Sequence, residues 1–413
     1  MPTRCRGLLL VVALLAAPRA APAKSPMRVL RLQVGPFPIE PRRDREVCRV
    51  VRVPGVAGMQ LESWEARSRV YRRDLVGTHH FVAYGYAGND SSAFPGPSEL
   101  VDDPGCSSLG PADFFKKRVF LAGSGGESVR GKWAITRAQM PGRLTQLMPT
   151  PSDTPGDAIV ILNSHYFNHS ARRARGFVKL KIRLAPLDPA KRPVRQMMEA
   201  TASRDIRVAP QAVGPAVSAT WAADGARNDE TEGGFNPAGD VCVFALTPHM
   251  HGRGVRFTID YEEDGRAPAR LHETTDYLHP GSSLLPSLGS GALGLLRAYT
   301  AENGHPRIRY TCLHANGTEG KPLKMGCEES AGVVPGRSAA EAHAADGELL
   351  GLDDHARPCG LDAVNCQQHG TGRCVPANLV FGPLSDDEMC ILVAMVYEPK
   401  HDAPPEQACN PNL

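Results

Sequence analysis

Apolar and polar residues alternate in short runs along most of this chain, and few stretches repeat at helical spacing. Residues 27–57 open with MRVLRLQV and EVCRVVRV, which suit β-strands, and THHFVAYGY, DAIVILNSHYF and GFVKLKIRLAP continue the pattern. The second half repeats the style. VCVFALTPHMH, VRFTIDYEEDG, PRIRYTC and MCILVAMVYEP are rich in β-branched and aromatic residues and predict further strands. GPAVSATWAADGARNDETEGG is polar and irregular and predicts a surface loop. A chain of 413 residues exceeds the usual size of one hydrophobic core. LDPAKRP, with two prolines and charge between Pro186 and Pro193, marks a boundary. The expectation is an all-β protein of two tandem β-sandwich domains, 27–190 and 191–413, with a cysteine-rich insertion at about 325–380 in the second. Residues 328–357, rich in Ala, Gly and charge, read as an inserted loop that Cys327, Cys359, Cys366 and Cys374 would staple.

Composition adds compartment to this picture. With 42% hydrophobic and 22% charged residues the chain has an ordinary globular composition. Sparse aromatics (6%), 41 Gly and 36 Pro favour short strands and turns over long helices. A formal charge of +3 gives no reason to invoke nucleic acid or an anionic membrane as partner. Arg4 and Arg6, the apolar run Leu8 to Ala17 and Ala21-Pro22-Ala23 read as a secretory signal over residues 1–23. The apolar run falls short of the ~20 residues a spanning helix needs, and no later run is long enough. An exported chain with no membrane span is therefore expected. Removing Cys5 with the signal leaves ten cysteines, an even number that predicts disulfides. Their pairing stays open, and the absence of any C-x-x-C pair argues against a zinc ribbon.

The chemistry-bearing residues are histidines on strands and one methionine. His249 and His251 lie two apart, so in a strand both imidazoles face one side and can converge on one metal; two surface histidines are the alternative. His79 and His80 are adjacent, so joint ligation requires a bulge, which Gly77 would permit. Otherwise one of the pair is buried and the other exposed. His165, in a strongly apolar strand, is either a ligand or a hydrogen-bonded core residue. Met389, in SDDEMCILVAMVYEP, is either core packing or a soft thioether ligand of the kind that suits Cu(I).

In this order (HH, then HY after an apolar strand, then H-x-H, then DEMC) the motifs resemble those of the copper type II, ascorbate-dependent monooxygenases. That family includes peptidylglycine α-hydroxylating monooxygenase and dopamine β-monooxygenase. The resemblance runs roughly from Cys48 to Cys409, includes Tyr310-Thr311-Cys312, and is specific at the ligands and thin between them. It implies two jelly-roll-like domains that each contribute one copper. His79, His80 and His165 would form the first site, which takes electrons from ascorbate. His249, His251 and Met389 would form the second, catalytic site, where O2 meets a small or medium organic substrate and a C–H bond is hydroxylated. It also implies a Cys312–Cys390 disulfide beside Met389, and position suggests Cys48 with Cys106.

The chain departs from the family where peptide-amidating members anchor a substrate carboxylate. Thr247, Ile391 and Val393 stand there instead, and an apolar patch cannot pair a buried anion. Peptide amidation is therefore not implied. The other function class is a non-catalytic secreted copper-binding module that keeps the fold and ligands. A zinc hydrolase lacks support, because HETTDYLH does not have the histidine spacing of H-E-x-x-H. Asn89, Asn168 and Asn316 begin sequons that could carry glycans in a eukaryotic secretory host.

Overall fold

The computed structural model describes residues 27–410 except 42, 71–75, 98, 104–105, 107–108, 125–132, 169, 171, 224–238, 278–282, 285–294, 297–305, 328–373, 383–386 and 405–406. The expected leader, Cys359 and Cys366 lie outside the described residues. The architecture is all-β and sandwich-like, with helix in short turns such as Phe114–Lys117.

In the first half, Arg28–Ile39, Ala174–Pro186 and Met59–Val70 lie side by side and antiparallel, and Ala134–Gln139 extends the last of them. Their inward residues, Leu30, Val34, Leu180, Ile182 and Ala66, alternate with outward polar ones, the period of 2 that the sequence shows. A five-stranded sheet faces them, ordered Leu100–Asp102, Arg43–Val53, Ala158–Asn168, Val76–Tyr86, Arg118–Ser124. Val160, Leu162 and Phe81 close the core between the two sheets. Ala158–Asn168 is buried on both faces, which explains its unbroken apolar run. Its second face, through Ile159 and Ile161, packs under Phe94, Leu109, Phe114 and the Cys48–Cys106 disulfide.

In the second half, Arg192–Glu199, Ile391–Tyr397 and Val241–His249 are antiparallel neighbours. They face a sheet in which Arg307–Asn316 pairs with Gly254–Glu262 and Val217–Trp221. Met197, Leu392, Ala394, Phe257, Tyr310 and Trp221 fill the space between. The loop expected around GPAVSATWAADG is corrected over Val217–Trp221. V-S-A-T-W alternates, so Val217 and Trp221 turn inward while Ser218 stays exposed, and the segment pairs as a strand.

The two halves meet in one continuous sheet, because Arg192 and Pro193 pair in parallel with Leu144 and Thr145. Leu144, Val194, Phe244 and Tyr397 form an apolar seam there, next to the Cys242–Cys409 disulfide. The Arg192 guanidinium lies 4.8 Å from the Tyr397 ring centre and donates to the Ala408 carbonyl at 3.1 Å. The insertion leaves and returns on a two-stranded ribbon, Met325–Cys327 against Cys374–Pro376, with Cys327 and Cys374 opposite in the backbone register.

The Cys48–Cys106 and Cys312–Cys390 disulfides both form. Among the described residues, three disulfides form, which fits an oxidising environment. Among the described residues, no helix is long and apolar enough to cross a membrane. Two of the three sequons are corrected as glycan sites, since Asn168 and Asn316 are buried at the ends of their strands. Asn168 donates to the carbonyls of Ile39, Glu40 and Arg172, and Asn316 to those of Val208 and Ala377. Each amide completes backbone hydrogen bonding in a place with no room for a sugar. Asn89 is exposed.

Candidate metal centre

The first histidine cluster depends on a slip in register. Val76–Tyr86 pairs with Ala158–Asn168 so that Thr78 stands opposite Tyr166 and His80 opposite His165, leaving His79 as the extra residue. This is the bulge that two adjacent histidines require. The side chain of His79 lies outside the description. His80 and His165 are neighbours, their ring centres 5.3 Å apart and nearly perpendicular.

The group that meets these two imidazoles is Glu46. Its carboxylate lies 3.3 Å from His80 Nε2 and 4.0 Å from His165 Nδ1. Ligand atoms of Glu46, His80 and His165 all lie within 4.8 Å of one another, which is compact enough to surround one ion. Asn163 braces the set: its Nδ2 donates to Glu46 Oε1 at 2.7 Å, and its Oδ1 accepts from His80 Nε2 at 2.8 Å. That hydrogen bond puts the proton on Nε2 of His80 and the lone pair on Nδ1. The same Asn163 amide rests 3.2 Å from Cys106 Sγ, so the disulfide backs the cluster. Burial alone would raise the Glu46 carboxyl. The hydrogen bond and charge of His80, the charge of His165 and the Asn163 amide outweigh it and bring the pKa down to about 2. A buried, ionised carboxylate between two imidazoles is a cation-binding arrangement.

The second cluster forms where Val241–His249 ends and turns. His249 and His251 lie with ring centres 5.2 Å apart and planes at 85°. His251 Nδ1 donates to the Asp387 carbonyl at 3.0 Å, which leaves the lone pair on Nε2. Glu388, wholly buried, holds the turn. Its carboxylate accepts from the backbone N–H of His251 at 2.9 Å, of Arg253 at 2.5 Å and of Met389 at 3.4 Å. One side chain therefore ties the H-x-H turn to the backbone of Met389, whose side chain is half-buried. Beneath it, Lys324 Nζ and Asp387 make a buried ion pair at 2.5 Å. His314 Nε2 lies 3.4 Å from the Met389 carbonyl and 3.6 Å from Glu388. The Cys312–Cys390 disulfide fixes the next position along the chain.

Burial keeps these imidazoles neutral. It pushes His249 well below the ordinary histidine value, and the charges of His251 and His80 push the same way. It lowers His251 to about 4 against the Asp387 carbonyl, with His165 and His80 adding to the lowering. A charge on His80 is felt at both His249 and His251, so the two clusters lie within electrostatic reach of each other. A neutral imidazole is the form that binds a metal.

The strand register also brings the apolar positions to the second cluster. Ile391 stands opposite His249, and Val393 opposite Thr247 two residues away. His272, from HETTDYLH, pairs opposite Ile259 in the other sheet of that half.

Sequence reasoning missed Glu46, Asn163 and Glu388. A period-2 reading held the signal for two of them. Asn163 lies two before His165 and Glu46 two before Cys48, so each shares a strand face with a singled-out residue. Glu388 adjoins Met389, but its partners are backbone N–H groups from a distant turn, and no side-chain pattern announces those.

No protein-family model matches the chain, and no curated protein matches it. Among solved structures it is similar to the PBSX exported protein XepA, at 7% identity and a TM-score of 0.17 over 69% of this chain and 86% of that one. It is similar also to the Macrobrachium rosenbergii nodavirus structure, at 8% identity and a TM-score of 0.20 over 72% and 98%. A third likeness is to the T=1 Penaeus vannamei nodavirus, at 11% identity and a TM-score of 0.17 over 69% and 99%. These likenesses are too slight to bear on function.

Proposed function

We propose that this chain is a copper-dependent monooxygenase that hydroxylates a C–H bond of an organic substrate, using O2 and a reductant such as ascorbate. The observation that carries the reading is the pair of unlike donor sets within electrostatic reach of each other. One is His80 and His165 with Glu46; the other is His249 and His251 with Met389 tied to their turn. Hard carboxylate and imidazole donors suit a divalent ion, whereas imidazoles with a thioether favour Cu(I). Copper, when bound, supplies one-electron transfer at each set and dioxygen activation at the second. The chain's own part is to hold the ligands. Asn163 and the Asp387 carbonyl orient imidazole rings, and Glu388 keeps the Met389 backbone against the H-x-H turn. Thr247, Ile391 and Val393 beside His249 favour a substrate without an anchored carboxylate.

A second reading follows from Glu46, because two histidines and a carboxylate are also a common zinc set. Metal analysis separates the two. Purified mature protein is expected to hold two coppers and to couple ascorbate-driven oxygen consumption to hydroxylation of a substrate from a panel of small, uncharged organic molecules. Copper well below two per chain, or oxygen consumption unchanged in Met389→Ile, overturns the monooxygenase reading. Zinc at the Glu46 set with no redox activity favours the second. Full copper loading without coupled hydroxylation favours a copper-binding module.

A further inference from the structure

The outer face of the first half carries a charge pattern that folding does not explain. Arg28–Ile39, Ala174–Pro186, Met59–Val70 and Ala134–Gln139 turn their apolar residues inward, and their outward residues stand in register as a lattice. In the central row Arg31 stands opposite Lys181, Lys181 opposite Glu65, and Glu65 opposite Arg137. In the next row Lys179 stands opposite Arg67, and on the other side Arg183 lies opposite Ser63. In these three rows six cations stand with one carboxylate, a net +5 in a chain whose whole formal charge is +3.

Glu65 is already engaged, with Arg67 at 2.6 Å and Arg137 at 2.5 Å. Arg31, Lys181 and Arg183 have no acidic partner among the described residues. Like charges directly opposite each other across a strand pair destabilise a sheet, so Arg31–Lys181 and Lys179–Arg67 work against the fold. A shallow depression of about 420 Å³ opens on this face, lined in part by Glu65, Arg137, Lys181 and Arg183. At one end of the lattice Trp133 is half-buried, its ring 5.8 Å from Phe177. The Arg69 guanidinium lies 5.7 Å and Lys179 Nζ 5.9 Å from it.

We propose that this face docks a linear acidic polysaccharide, carboxylated or sulfated. A continuous cationic lattice spaced by strand separation and residue rise matches a repeating anion better than a single small one. Guanidinium groups pair carboxylate and sulfate oxygens bidentately. Half-buried Trp133 adds an apolar surface at this end of the lattice, and Arg69 and Lys179, which lie over its ring, would hold the anionic substituents of a pyranose docked beside it. Three disulfides among the described residues fit an oxidising environment such as the cell exterior, where a polysaccharide partner would be met. The face lies on the opposite side of the sandwich from Glu46, His80 and His165, so a bound polymer leaves that cluster uncovered. The proposal stands or falls apart from the metal reading.

Titration of the full mature chain with a heparin octasaccharide and an alginate oligomer of similar length, over a salt series, tests it. Binding of at least one is expected, weakening steeply with salt, and neutral dextran should not bind. The variant Lys179→Gln/Lys181→Gln/Arg183→Gln should lose roughly tenfold or more in affinity and flatten the salt slope by about three. Its melting temperature should stay level or rise, because like-charge pairs are removed. The control Lys116→Gln/Lys117→Gln/Arg204→Gln makes the same charge change at exposed positions off this face and should bind as the parent does. Absence of binding to either acidic oligomer at low salt overturns the proposal, as does an equal loss in both variants. Tighter binding to single-stranded DNA or to phosphatidylserine vesicles replaces the polysaccharide with that partner.

Discussion

Glu388 is the sharpest point at which to break the second cluster without touching a candidate ligand side chain. Its carboxylate accepts from three backbone donors on two separated segments, at 2.9 Å from His251, 2.5 Å from Arg253 and 3.4 Å from Met389. Truncation in Glu388→Ala leaves at least the two short-bonded N–H groups without an acceptor in a fully buried place. Each such group costs about 1–3 kcal/mol, for a loss of about 2–6 kcal/mol. The opposing term is the burial of the carboxylate itself. Burial raises the Glu388 carboxyl to about 7 against its backbone donors, so the ionised form carries a cost of roughly 3 kcal/mol at alkaline pH. At pH 6 the group is mostly protonated and that offset is largely absent. Urea unfolding of chelator-treated protein at pH 6 should therefore show Glu388→Ala destabilised within that range. Glu388→Gln, which keeps one acceptor oxygen, should fall between Ala and parent. Cu(I) affinity should drop in the Ala variant, because the Met389 backbone is released from the turn. A Glu388→Ala protein within about 0.5 kcal/mol of parent would refute the claim that this carboxylate holds the two segments together.

Three further outcomes follow from the same geometry. The buried imidazoles of His251 and His314 are lowered to about 4 from the ordinary 6.5, so their contribution is complete above pH 6.5 and lost as pH falls towards 4. Each amounts to about 3 kcal/mol; Glu388, raised to about 7, opposes one of them between its ordinary value and 7. The melting temperature of chelator-treated protein should therefore fall on acidification through this window, and a flat profile contradicts the assignment. Glu46→Gln removes the charge between His80 and His165 and should weaken Cu(II) or Zn(II) binding at the first set by roughly tenfold or more, seen by competition with a chromophoric chelator. An unchanged Cu(II) spectrum and affinity would mean that Glu46 does not serve the metal. Expression in a glycosylating host should add a glycan at Asn89 alone, visible by intact mass and abolished in Asn89→Gln; a sugar on Asn168 or Asn316 would contradict their burial.

The strands were readable because side-chain direction in a strand alternates strictly, and DAIVILNSHYF or VCVFAL announces its burial without reference to any partner. The same rule placed His249 and His251 together and called for a bulge at His79-His80, which the slip between Thr78 and His80 supplies. It failed at VSATW, where polar neighbours masked a real alternation ending in the buried Trp221. Sequons also read alike whether exposed or buried. Only the fold separates Asn89 from Asn168 and Asn316, whose amides are taken up by backbone carbonyls.

By itself, then, the sequence determined the strand pattern, the identity of the clustered histidines and the supply of cysteines, because these depend on local periodicity and residue chemistry. Tertiary structure decided which groups meet. Pairing of Arg43–Val53 with Ala158–Asn168 brings Glu46 to His165 across 119 positions of chain, and the Glu388 carboxylate reaches the His251 turn from a distant segment. The basic lattice is likewise a product of register, since Arg31, Lys181 and Arg137 share a row only once four strands are aligned. Such meetings are set by long-range strand pairing, and a one-residue change of register would undo every one of them.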